Sequence, residues 1–210
     1  VEYYKNLALE MQEMGADSIA IKDMSGILLP EFAYTLVKEL KSILRVPLEI
    51  HTHATAGLAS MTYLRAIEAG ADIIDTAISP LSGGTSQPAT ESIVRSLEGT
   101  ERETGFDLNL LREIAEYFKP IRAKYLKEGT LNPQALMTEP SIVEYQLPGG
   151  MLSNLLAQLK LQKAEDKYED VLKEIPRVRA DLGYPPLVTP LSQMVGTQAV
   201  FNVLTGQRYK

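Results

Sequence analysis

Apolar and polar positions in the first hundred residues switch between two periods, about 3.6 and 2, the marks of helix and strand. Residues 1–14 read as a helix that stops at Gly15, and Ser18 to Lys22 (SIAIK) as a buried strand. Residues 30–44 read as a second helix, with Pro30 at its start, where Pro is favoured. Pro47 introduces the strand Leu48 to His53 (LEIHTH). Residues 56–69 read as a helix, Asp72 to Ala77 (DIIDTA) as a strand and residues 88–97 as a further helix.

One internal echo fixes the grammar. Glu13-Met14-Gly15-Ala16-Asp17 and Glu68-Ala69-Gly70-Ala71-Asp72 share a pattern, with Gly where a helix C-cap needs a left-handed residue and a strand directly after it. Helix, glycine stop and parallel strand in repetition predict an α/β fold, either a (β/α) barrel or a doubly wound sheet. From about residue 101 the rhythm is lost. Helices are expected at roughly 107–127, 151–164, 167–174 and 191–205, broken by Pro133, Pro140, Pro148, Pro176, Pro185 and Pro186. The chain is therefore read as an α/β part over 1–100 and a mainly helical domain over 101–210, with a tight junction. Three strands fall short of the eight of a complete barrel. Either the chain holds part of a barrel or the fold is a small open sheet, and Val1 in place of Met points to a fragment or a trimmed product.

Composition narrows the class. Hydrophobic residues make up 45% and charged residues 23% of 210, ordinary for a globular protein, and the formal net charge of -6 argues against a nucleic-acid partner. No apolar run approaches the roughly 20 residues needed to span a bilayer, and no secretory pattern opens the chain. The absence of cysteine excludes disulfides, thiolate catalysis and Cys-ligated zinc.

Each strand ends in polar residues: Lys22 and Asp23 at the first, His51 and His53 at the second, and Ser82-Gly83-Gly84-Thr85-Ser86-Gln87-Pro88 after the third. In barrels and open α/β sheets active sites sit at these C-terminal strand ends. Residues two apart in a strand point to the same face, so both imidazoles can approach one metal; the alternative is a pair of ordinary solvated or hydrogen-bonded histidines. Lys22 is cationic and a poor ligand as it stands, and its plain reading is a solvated or salt-bridged side chain. It nevertheless ends its strand level with the histidine pair, on one face with Ser18 and Ala20, 29 positions before His51 and so close to the roughly 30 residues of one βα repeat. Carboxylation of its amine gives a carbamate, an anionic oxygen ligand. Thr85 lies in a Gly-Gly loop whose backbone can come close to a ligand; taken alone it is a plain loop hydroxyl.

Together, Ile21-Lys22-Asp23-Met24-Ser25-Gly26, His51-Thr52-His53 and Ser82-Gly83-Gly84-Thr85-Ser86-Gln87-Pro88 resemble the carboxyltransferase domain of the pyruvate carboxylase family, which includes the oxaloacetate decarboxylase α subunit and the transcarboxylase large metal subunit. The second region resembles that family's conserved C-terminal domain in Pro148-Gly149-Gly150-Met151 with Ser153-Asn154-Leu155, and in Thr189-Pro190-Leu191-Ser192-Gln193-Met194-Val195-Gly196-Thr197-Gln198-Ala199. The ending, Asn202 to Tyr209, is closer to the decarboxylase α subunit and the separate-subunit pyruvate carboxylases.

The resemblance implies a TIM barrel, here its last three βα units, followed by a helical domain. It implies that Lys22 is carboxylated and holds a divalent metal (Zn, Mn or Co) with His51 and His53, and that Thr85 moves a proton between biotin and the pyruvate enol. Biotin would arrive on a carrier domain, and the substrates would be oxaloacetate and pyruvate. A cytoplasmic homo-oligomer is expected, with membrane-complex subunits as partners if the chain is of the decarboxylase type. The family's fourth ligand, an aspartate on the first strand, has no counterpart here, nor do its substrate-holding arginine and its biotinylated domain. Ala54 stands where the family often has an aspartate after the histidine pair, and its loss removes a carboxylate that could orient a ligand. Two other readings stand beside this one: a docking module inactive by itself, and a metal-dependent acyl-CoA lyase or condensing enzyme of the same barrel superfamily. Lys22-Asp23-Met24-Ser25-Gly26 and the helical region argue against the lyase.

Overall fold

The computed structural model describes residues 1–145, 151, 155, 158–188 and 190–210. The chain divides into two compact units, Val1–Pro140 and Ser141–Lys210.

The first unit opens with α1 (Glu2–Glu13), β1 (Ile19–Asp23), α2 (Pro30–Lys41), β2 (Leu48–Thr52), α3 (Ala59–Ala69) and β3 (Ile73–Ile74). A single 3-10 turn (Ser79–Leu81), α4 (Thr90–Leu97), α5 (Leu108–Lys127) and a second 3-10 turn (Pro133–Leu136) follow. The strands form one parallel sheet in the order β1-β2-β3. Gly70 closes α3 in the left-handed region at φ 106, as the repeated glycine stop predicts. Alternation sorts the sheet's two faces. Ile19, Leu48 and Ile50 are buried against Leu36, Val37 and Leu40 of α2 and Tyr63, Ala66 and Ile67 of α3. Ala20, Lys22, Glu49, His51 and Ile73 lie on the opposite, open face.

The third strand is shorter than its sequence suggests. Only Ile73 and Ile74 pair, although Asp72 to Ala77 is apolar enough for a full strand. At its start the Asp72 carboxylate accepts the Leu48 N–H at 2.8 Å. At its end the Asp75 carbonyl is taken by the Tyr63 hydroxyl at 2.6 Å. A single parallel bridge, Ala77 to Ala89, continues the direction.

The loss of strand rhythm near residue 100 and the break in packing at Pro140 do not coincide. Residues 101–140 belong to the first unit because they fold back on it: Thr85 N–H donates to the Ala135 carbonyl at 2.8 Å, and Glu139 N–H to the Thr55 carbonyl at 2.7 Å.

The second unit contains α6 (Ile142–Tyr145), a 3-10 turn (Glu165–Lys167), α7 (Tyr168–Asp181) and α8 (Leu191–Thr205). Here Pro176 does not end the helix, contrary to the sequence reading. Val171, Leu172, Ile175 and Val178 bury one face of α7 in a core shared with Val195, Ala199 and Val200, and that burial outweighs the one backbone hydrogen bond Pro removes. The helix expected at 151–164 is described only in part, with Met151, Leu155 and Leu159 in the same core. Pro148 to Gly150, Ser153, Asn154 and Thr189, which belong to the two C-terminal signatures, lie outside the described residues. The end of the chain is tied down through Glu174, which accepts from Asn202 Nδ2 at 2.9 Å and Arg208 Nε at 2.7 Å. No described helix is long and apolar enough to cross a membrane.

Candidate metal centre

The parallel register sets Lys22 directly beside His51, so the strand ends place these two residues level, as their spacing predicts. His51 and His53 share a face of β2 and its extension, with ring centroids 5.1 Å apart.

Both imidazoles are held through Nδ1. His51 Nδ1 lies 2.7 Å from Asp75 Oδ2, and His53 Nδ1 lies 2.6 Å from the Thr85 carbonyl oxygen. A carbonyl only accepts, so His53 carries its proton on Nδ1 and leaves Nε2 as the lone-pair donor. A carboxylate selects the same tautomer for His51. This is the outer arrangement that metal-binding histidines use to fix tautomer and ring direction. Burial lowers the His53 pKa, with the charges of His51 and Lys22 acting the same way against the Thr85 carbonyl and Asp23, so the ring stays neutral, as ligation requires. The Gln87 amide nitrogen reaches His51 Nε2 at 3.4 Å, a long contact on the outward nitrogen. Burial, and the nearby Asp75 charge, raise the Glu49 carboxyl on the same face.

Asp23 serves the site's frame. Its Oδ1 accepts the N–H groups of Ser25, Gly26 and Ile27 at 3.0–3.3 Å, and its Oδ2 accepts Leu28 N–H at 2.8 Å and the Thr52 hydroxyl at 2.7 Å. The loop after β1 thus wraps on a single carboxylate. It lays Gly26, at φ 71, so close to the His53 carbonyl that a Cβ there would collide with it. The His53 N–H closes the arrangement by donating to the Asp23 carbonyl at 3.1 Å.

Thr85 reaches the pair through its main chain. Its loop is closed by Gly83 N–H to the Gln87 carbonyl and Ser86 N–H to the Gly83 carbonyl, both 2.9 Å. Gly84 is required because its backbone lies against Ala135 and Leu136, so the close approach that the Gly-Gly pair suggests is made to the 3-10 turn. Ala54 contributes its N–H to the Ser86 carbonyl at 2.7 Å. Each histidine has its Nδ1 partner without a carboxylate at 54.

Among the described residues no group of three or more His, Asp or Glu side chains can hold a metal by itself. Of the residues singled out by sequence, His51 and His53 keep Nε2 as a lone-pair donor, and Lys22, beside His51 on the next strand, could add an oxygen only as a carbamate. Sequence reasoning missed the roles of Asp75 and Tyr63. Alternation along β3, with Ile73 on the open face, puts Asp75 there too, and the parallel register then sets it beside His51.

Two family models match the chain: HMGL-like over residues 1–118, and the conserved carboxylase domain over residues 142–210. A pyruvate carboxylase subunit from Methanocaldococcus jannaschii is 58% identical over 210 residues, covering 100% of this chain and 37% of that protein. The methylmalonyl-CoA carboxyltransferase 5S subunit of Propionibacterium freudenreichii is 47% identical, covering 99% of this chain and 41% of that one. The carboxyl transferase domain of Rhizobium etli pyruvate carboxylase, solved with pyruvate, matches with a TM-score of 0.87 at 35% identity, over 99% of this chain and 34% of that domain. This chain spans well under half the length of those relatives. Its architecture is that of the last three βα units of a TIM barrel and the helical region after them. The chain belongs to the HMGL-like family, and its residues 142–210 match the conserved carboxylase domain.

Proposed function

We propose that the chain contributes the metal-binding wall of a biotin-dependent carboxyltransferase, moving a carboxyl group between oxaloacetate or pyruvate and biotin. One observation supports this most: two histidines at one strand end, each fixed at Nδ1 by an oxygen and each leaving Nε2 outward, level with Lys22. His51 and His53 would hold the ion, and Lys22, carboxylated on its amine, would add an anionic oxygen. A divalent ion (Zn, Mn or Co) supplies Lewis-acid polarisation of a keto acid when bound. The chain's own part is to keep the imidazoles aimed and in register, with burial favouring the neutral ring of His53. Thr85 has two separable parts: the carbonyl that anchors His53, and the hydroxyl to which the family resemblance assigns proton transfer to and from biotin.

The same reading includes a biotin carrier domain as partner, a homo-oligomeric assembly and a cytoplasmic location. It assigns 1–100 to the barrel and its site, and 101–210 to the conserved helical region. The acyl-CoA lyase reading is disfavoured by the conserved carboxylase match over 142–210. The test is transfer from oxaloacetate to free biotin by the full-length protein, with metal content measured alongside. His51→Ala and His53→Ala are each expected to lose the ion and at least about 100-fold in rate. Full metal content and rate in both variants would refute the proposal.

A further inference from the structure

Tyr63, on α3, is completely buried, yet its hydroxyl is fully used at the sheet's active end. It accepts the Thr52 N–H at 3.1 Å and donates to the Asp75 carbonyl at 2.6 Å. The pairing of β2 with β3 stops at Ile50 and Ile74, so the phenol bridges two strands where their own ladder has ended. Burial pushes its pKa up to about 12, so the O–H remains a donor at any working pH.

The two peptide groups it holds bear directly on His51. Thr52 N–H belongs to the peptide that leaves His51 toward His53. Asp75 is pinned on both sides, by Tyr63 at its carbonyl and by the Ile50 carbonyl at its N–H, 3.2 Å away. With its main chain fixed, its carboxylate sits 2.7 Å from His51 Nδ1 although the side chain is 40% exposed. An exposed carboxylate on a free strand end would rotate among several rotamers and lose that contact much of the time.

We infer that Tyr63 is a positioning residue for the metal centre, setting the direction of His51 Nε2 through the Asp75 backbone and the His51–Thr52 peptide. The inference rests on the metal reading above and adds a residue with no contact to the ion, substrate or biotin.

The experiment is Co2+ affinity by chelator competition, with the visible ligand-field spectrum recorded, in the full-length protein. Tyr63→Phe keeps the ring and removes only the hydroxyl; it is expected to weaken Co2+ about five-fold, the equivalent of one ordinary hydrogen bond, and to shift the spectrum. Asp75→Asn, on an exposed side chain that threatens no core, is expected to weaken it about 10- to 100-fold. Val37→Ala, in the same core but away from the strand ends, is expected to leave affinity and spectrum unchanged. Wild-type affinity and spectrum in Tyr63→Phe, or an equal loss in Val37→Ala, would overturn the inference. Failure of the wild type to bind Co2+ in a His51-dependent way would instead overturn the metal reading itself.

Discussion

Replacing Asp23 with Asn keeps the shape of the side chain and changes one oxygen into an amide, which isolates what the carboxylate does. Five donors converge on it: four backbone N–H groups from Ser25 to Leu28, and the Thr52 hydroxyl. An asparagine in the best orientation keeps the three N–H groups on Oδ1 and turns its NH2 toward Leu28 N–H and Thr52. Thr52 can rotate its hydroxyl and accept, but Leu28 N–H faces a donor. A hydrogen bond to a charged acceptor is worth about 1.5–3 kcal/mol, and a partly buried N–H left without a partner adds to the loss. Asp23→Asn should therefore cost about 2–4 kcal/mol. Urea unfolding of the variant and wild type, read as a shift of midpoint at constant slope, measures it. A cost below about 0.5 kcal/mol would refute the claim that this one carboxylate organises the loop.

Thr85→Val should leave Co2+ affinity within about two-fold of wild type, because valine supplies the same carbonyl to His53; the carboxyl-transfer rate of that variant then decides the hydroxyl's part, since a group that moves the proton costs about 100-fold or more when removed. Burial alone would raise the Glu174 carboxyl, but hydrogen bonds from Asn202 and Arg208, with the charges of Arg177 and Arg208, hold it below its ordinary value of 4.5. A depressed carboxylate contributes stability that is complete above about pH 4.5 and lost as pH falls through the lower folded value, so acid should loosen the second unit in that window. Glu174→Gln should flatten that dependence, as followed by thermal melts from about pH 6 to about pH 3.

The two long-patterned strands and most helices were legible because alternation and glycine stops are local signals. Ile19 and Ile21 against Ala20 and Lys22, or Leu48 and Ile50 against Glu49 and His51, sort themselves into faces without tertiary information. The third strand was not, because its ends are claimed by groups far along the chain, the Leu48 N–H and the Tyr63 hydroxyl. Pro176 misled for the same reason: local propensity said stop, and a buried face shared with α8 carried the helix through. The placement of Lys22 beside His51 was legible by spacing. Asp75 was hidden in an apolar run, and only the β2–β3 register shows that it stands beside His51.

The same register argues about Ala54. A carboxylate after the histidines would be expected to orient one of them, and its loss to loosen the site. Yet His51 draws its oxygen acceptor from β3 and His53 draws its own from the Thr85 loop. The two acceptors arrive from different elements, each with its main chain fixed: Asp75 by Tyr63 and Ile50, Thr85 by Ala135. Residue 54, meanwhile, contributes main-chain groups alone, its N–H to the Ser86 carbonyl and its carbonyl to the Gly57 N–H. On the proposed metal reading these anchors serve to aim the rings, since two imidazoles satisfied by water alone would have nothing to select Nδ1 for both. The sheet instead commits a carboxylate, a loop carbonyl and a fully buried tyrosine to holding the same nitrogen of each ring, which leaves both Nε2 atoms outward on the face that also bears Lys22.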